Sequence, residues 1–456
     1  MIVVLLITFA LILLATTTRA LGQGRLASPV VAYGAVWLIV IGIHLSGVMT
    51  YYDLHAPALL AMVAGSSAFI GGAWLAGRKA QPDTIGSALP PVRLIAPGVI
   101  AIGLLTAFFG IAWVSQQLHG TVNVLRAWSD GTVDRSLLLL EFAAQLDEGS
   151  RVSAVLGVAS GLLTLCQIWA AVHLAQRRSL PNRPGDALVI AVVAVTGYAA
   201  LTMAAKAPII GFASYAAIAA AFAHEGRQRG TSRASMVLRV AALVVIVAGS
   251  WMLNVRQNQI RGTISTLSDE RTDLHPVVFS TLLYISAPSV AFSEDWKQNL
   301  ADNEGLSVSH SLAPLAKWLG RVGLQGDTEQ TIYKQYIHTP YYINTYTWFY
   351  SFRRDAGIAG LILFPFVIGL VAGRLYSAAV RRREFVSVAA YLLLGHAVML
   401  SFFAWSLVAT SQFALIAALV AIGTRRGRTR VTRRPLWRVN DRETPAGMAS
   451  PAVVAP

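Results

Sequence analysis

The feature that constrains this chain most is a series of apolar blocks, each about 16 to 22 residues long and almost without ionisable groups. A helix of that length crosses the roughly 30 Å hydrocarbon layer of a bilayer. Backbone groups in lipid must be satisfied inside the segment, so each block is expected to be a helix. Charged residues make up 13% of the chain, about half of what a soluble domain carries, and apolar residues 55%. These values exclude an ordinary soluble protein. Eleven spans are expected, over 2–15, 29–49, 57–77, 94–114, 152–175, 187–205, 208–223, 236–253, 357–376, 385–403 and 407–422. The first resembles a signal peptide but has no basic stretch before it, and Arg19 and Arg25 follow it. It reads as a retained helix with its N-terminus outside.

The net charge of +15 would suit a nucleic-acid binder if it were gathered on one polar surface, but it is divided between alternate loops. One side of the predicted membrane holds 24 Lys and Arg against six acids, and the other 13 against 16. Cytoplasmic loops carry the excess of positive charge, so the first side is expected in the cytoplasm. The surplus is thus a topology signal, and no nucleic-acid partner is expected. Residues 424–456 read as a disordered basic cytoplasmic tail that can rest on anionic headgroups, and 1–423 as the transmembrane domain. The single cysteine, Cys166, leaves no disulfide framework or thiol metal site. His275, His310 and His338 lack ligand spacing, so neither metal nor cofactor is expected.

Two outer loops are large, 116–151 and 254–356. The first combines charges with an apolar stripe, the pattern of an interfacial amphipathic helix. Inside the second, 276–292 is apolar but short and broken by Pro288, and it is expected to be a re-entrant or surface-lying helix. Cations cluster at three places facing outward. Lys206 lies in the tight turn Met203-Ala-Ala-Lys-Ala-Pro208, either snorkelling to headgroups or aimed at a lipid-linked phosphate. Arg256 and Arg261 follow the eighth span; on a continuing helix they would stand about 140° apart. Arg353, Arg354 and Asp355 follow an aromatic run and precede Gly357 and Gly360. Guanidinium groups match phosphate oxygens bidentately, so these arginines are candidate phosphate ligands.

Three stretches resemble the oligosaccharide repeat unit polymerases, the O-antigen (Wzy-type) polymerase family. They are the Lys-Ala-Pro turn at Lys206, the helix ending at Arg256 and leading on to Leu283-Tyr-Ile-Ser-Ala-Pro288, and Thr345-Tyr-Thr-Trp-Phe-Tyr-Ser-Phe-Arg-Arg-Asp-Ala-Gly-Ile-Ala-Gly360. The last is similar to the family's Thr-x-x-aromatic…Asp-Phe-Gly-x-x-Gly pattern, with Ala356 where the family usually has an aromatic. The resemblance implies an all-α, GT-C-like polytopic enzyme of the bacterial plasma membrane. Such an enzyme transfers a glycan from a polyprenyl-diphosphate carrier to a sugar hydroxyl of another lipid-linked unit on the outer face. Membrane lipids, a flippase and a chain-length regulator are its candidate partners. It also implies roles: Arg256 and Arg353 at the leaving diphosphate, Asp355 or His310 as the base, with His338 and Glu329 as alternatives. Lys206, Arg261 and Arg354 would bind substrate, and Tyr341, Tyr342, Tyr346 and Trp348 would stack on sugars. A lipid-linked glycan ligase would share this architecture. A flippase or transporter would instead carry buried charge or broken helices within the membrane.

Overall fold

A computed structural model describes residues 1–78, 92–119, 151–176, 183–202, 207–225, 276–298, 310–311, 337–339, 342–343, 346–403 and 415. The chain is built from helices α1 (Ile2–Gly22), α2 (Pro29–Ser46), α3 (Ala56–Gly77), α4 (Pro97–His119), α5 (Arg151–Gln176), α6 (Arg183–Thr202), α7 (Ala207–Glu225), α8 (Pro276–Gln298), α9 (Trp348–Arg382) and α10 (Phe385–Met399). A two-residue hairpin pairs β1 (Ile337–His338) with β2 (Tyr342–Ile343), antiparallel. Among the described residues, seven helices are long and apolar enough to cross a membrane: α1 to α6 and α9. The chain is therefore a multi-pass membrane protein. Its outward surface agrees, because large apolar side chains such as Val4, Ile102, Phe109, Ile190 and Ile358 are exposed where water would penalise them.

Seven of the eleven expected spans fall on these helices, and 208–223 and 385–403 fall on the shorter apolar helices α7 and α10. The span 236–253 lies outside the described residues, and 407–422 does so apart from Leu415. One boundary needed correction: helix α8 runs six residues past Phe292 to Gln298. The span expected from Gly357 corresponds to the part of α9 beyond its break, and a separate helical piece from Trp348 precedes it. Charged residues continue both helices, and Asp295 of one pairs with Arg353 of the other.

Local chemistry explains the ends. Ser28 caps α2, its hydroxyl accepting from Val31 N at 3.3 Å, and Pro29 follows at the first helical position. Gly47 ends the same helix at φ 63°, a left-handed conformation that suits glycine. Thr8, Thr16 and Thr18 of α1 donate to carbonyls four residues back, so these three hydroxyls are met within the helix.

Among the described residues, the side chains pack into a small cluster of Ile43, Met49 and Phe279 and two large adjoining cores. One gathers α1, α2, α3, α8 and the start of α9 around Tyr33, Trp37, Phe69 and Trp348. The other gathers α4 to α7 around Trp169 and Tyr215, and α10 belongs to both. Trp37 Nε1 donates to Ser401 Oγ at 2.9 Å across the junction. At the far end, Arg93 N donates to Arg383 O (3.0 Å) and Phe385 N to Arg93 O (3.2 Å), a backbone clip on the α9–α10 turn.

Helices α3 and α9 approach most closely. A Cβ at Gly72 would collide with Phe366 O, and one at Gly369 with Phe69 O, so glycine on both sides lets the two backbones touch. Helix α9 is itself interrupted at Ala356 and Gly357, where Gly357 takes φ 57° and ψ −143°. Its first piece, 348–355, is thereby set apart from the membrane-crossing remainder by a kink.

Candidate functional site

The interruption of α9 leaves Arg353, Arg354 and Asp355 at the end of a short helix lying against α8. The last turns of α8 carry Glu294, Asp295 and Trp296 to the same place. Arg353 Nη1 donates to Asp295 Oδ2 at 3.0 Å, with side-chain exposures of 9% and 1%. The Arg353 guanidinium also lies over the Trp296 ring, 4.3 Å from its centroid. Arg354 lies 5.3 Å from the Tyr350 ring centroid, and Tyr350 stacks on Tyr346 at 4.2 Å. Glu294 is buried, with Oε1 3.7 Å from Lys297 Nζ. One buried cation and two buried carboxylates, with the half-buried Arg354 next to them, thus stand beside an aromatic wall.

Helix α8 is positioned by a row of polar contacts to the end of α2 and the segment after it. His44 Nε2 and Ser289 Oγ are 2.7 Å apart, and so are Tyr51 Oη and Ser286 Oγ, while His55 N donates to Ser293 Oγ at 2.6 Å. Pro288 cannot donate to the carbonyl one turn back. The serines around it recur every three or four residues, which keeps them on the one face that meets α2. Tyr52 N donates to Thr339 O at 3.1 Å and ties the β1 strand to the same corner.

Burial pushes the Asp295 carboxyl up from the ordinary carboxylate range, against the pull of Arg353 and Arg354. It pushes the Tyr346 hydroxyl up as well. The protein holds its ions here at a desolvation cost that an incoming anion could offset, because a phosphate placed between Arg353 and Arg354 would satisfy both cations.

The sequence-predicted residues divide unevenly. Arg353, Arg354, Asp355 and His310 do come together. Asp355 is fully buried and accepts backbone N–H donors on both oxygens, from His310 at 2.8 Å and Ser311 at 2.6 Å. That geometry makes it an anchor for the 310–311 segment and corrects the expectation of a general base. Tyr346 and Trp348 are also corrected. Trp348 is fully buried against Tyr33 and Phe69, and Tyr346 is 1% exposed and stacked on Tyr350, so neither offers a ring face to a sugar. Lys206, Arg256, Arg261, Glu329 and Tyr341 lie outside the described residues; of His338 and Tyr342 the backbone is described, in the hairpin.

Asp295, Glu294 and Trp296 escaped the sequence reading. The available signal was an adjacent acidic pair directly after an apolar run in an outer loop, two residues past the boundary drawn at Phe292. These acids and Arg353, all within the 254–356 segment, are buried in helices. Among the described residues, no group of three or more His, Cys, Asp or Glu could hold a metal ion. No protein-family model, curated protein or solved structure matches the chain.

Proposed function

We propose that this membrane protein is a glycosyltransferase that polymerises polyprenyl-diphosphate-linked oligosaccharide repeat units into a surface polysaccharide on the outer face of the plasma membrane. The observation that carries the reading is the buried Arg353–Asp295 pair with Arg354 beside it, at the break of a membrane helix. In this reading Arg353 and Arg354 receive the diphosphate of the donor. Asp295 holds Arg353 in place until the phosphate oxygens arrive. An acceptor sugar hydroxyl attacks the anomeric carbon, the bond from that carbon to the diphosphate breaks, and the arginines take up the charge on the leaving group. The hydroxyl proton passes to His310, whose backbone Asp355 holds at the site. Arg256, Arg261 and Lys206 remain further proposed phosphate ligands. The sequence resemblance supports the same chemistry, and the N-terminus outside with the C-terminus in the cytoplasm follows from the loop charges.

The test is surface-polysaccharide length on a gel, in a deletion strain complemented with the wild type, Arg353→Lys or Arg354→Ala at matched expression. Arg353→Lys keeps a cation for Asp295 but loses the planar fork, so the expected result is single repeat units in the deletion and in both variants. Long polymer left unattached on its carrier would instead assign the protein as a ligase. One observation favours a second reading, passage of lipid-linked glycan across the membrane: a helix broken at Ala356 and Gly357, with buried charge beside the break, is also what a transporter uses. Lipid-linked units accumulating on the cytoplasmic face of the deletion strain would select it.

A further inference from the structure

Toward the other end of α3, a helix about 33 Å long by helix rise, a cavity of about 310 Å³ opens between α1 and α3. Ile12, Thr16 and Ile70 form its apolar depth, and Arg19 and Arg25 stand at its mouth. Among the described residues, no acidic side chain lines it. Trp74 forms one wall, with the guanidinium of Arg78 3.7 Å and that of Arg19 5.4 Å from its ring. Gly71 lines the same groove, and a Cβ there would meet nothing within 4 Å, so this glycine leaves the groove open without serving any helix contact.

The combination has a direction. Apolar walls continue into the membrane from a rim of cations, and a tryptophan stands at the depth where aromatic belts meet headgroups. The volume is at the lower end of ligand pockets, enough for a glycerol phosphate with the first methylenes of an acyl chain. All three arginines lie on the cation-rich side of the membrane. We infer that the α1–α3 groove is a binding site for an anionic glycerophospholipid of the cytoplasmic leaflet, with Arg19 and Arg25 on the phosphate and the acyl chain along Gly71 and Ile70. This assignment is independent of the reaction proposed for the opposite face.

The experiment uses the full chain in detergent micelles, with thermal unfolding followed while phosphatidylglycerol, phosphatidylcholine or inorganic phosphate is added. Phosphatidylglycerol is expected to raise Tm at roughly tenfold lower concentration than phosphatidylcholine, with inorganic phosphate inert, since each cation near an anionic surface contributes on the order of 1 kcal/mol. Arg19→Ala with Arg25→Ala should abolish the preference. Gly71→Leu should abolish it too, by filling the groove, while leaving the lipid-free Tm unchanged. If the arginine variant fails to fold, Gly71→Leu alone decides. Equal responses to the two lipids, a preference that survives Gly71→Leu, or a shift of the same size from inorganic phosphate would each overturn the assignment.

Discussion

Arg353 and Asp295 form an ion pair with Nη1 and Oδ2 3.0 Å apart, joining residues 58 positions distant in sequence and both withdrawn from solvent. A buried pair is held together against the cost of desolvating two charges, so its halves are not independent.

Removing one partner should therefore cost more than removing both. Arg353→Ala leaves a buried carboxylate unmatched and should lose about 3–5 kcal/mol of stability. Arg353→Met combined with Asp295→Leu should recover most of that loss. Unfolding in detergent micelles, compared across the two singles and the double, reads the difference; simple additivity would count against a pair.

Asp295 should keep its proton above the ordinary carboxylate pKa of about 3.9, because burial raises it. Where the folded pKa exceeds the unfolded one, the protonated folded form is favoured. Its contribution to stability is complete below the unfolded value and is lost as pH rises through the folded one. Infrared difference spectra should show a protonated-carboxyl stretch disappearing over that window in the wild type and not in Asp295→Asn. A stretch already gone at the ordinary value would contradict the raised pKa.

Asp355→Asn should loosen the loop that the carboxylate holds. An asparagine has one acceptor oxygen for the two N–H donors of His310 and Ser311, and an unmet buried donor costs about 1–3 kcal/mol. Amide exchange at these two residues should rise selectively, with the rest of α9 unchanged. Unaltered exchange there would remove the anchor role.

Gly72→Leu and Gly369→Leu should separate α3 from α9, because even a Cβ at either position strikes the other helix's backbone. Losses of about 1–3 kcal/mol or more are expected from such overpacking. Gly42→Ala, also in a membrane helix but with nothing within 4 Å of a new Cβ, should be close to neutral in the same unfolding assay.

The spans were legible because length and hydropathy are properties of each segment alone. The site was half legible for the same reason. Arg353, Arg354 and Asp355 stand out as three adjacent charges after an aromatic run, whatever they touch. Asp295 does not, because its importance lies in a partner on another helix. The aromatics show the opposite limit: a run such as Trp348-Phe349-Tyr350 has the same composition in an interfacial belt and in a core, and only packing against Tyr33 and Phe69 decides for the core. The break in α9 was hidden as well. Gly357 is the residue that permits φ 57°, yet a glycine beside other glycines reads equally well as a close helix contact.

The glycine seam between α3 and α9 has a mechanical consequence. Gly65 meets Leu361 and the Phe349 ring at one end of the seam, and Gly373 meets Ala73 and Gly77 at the other, about 18 Å further along. At Gly72, Gly369 and Gly373 the nearest atoms are backbone, so no side chain cushions the two rods there. They form one strut with the Arg353 turn joined to its end through the break at Gly357, and a tilt of that strut would displace the ion pair and the proposed lipid groove together.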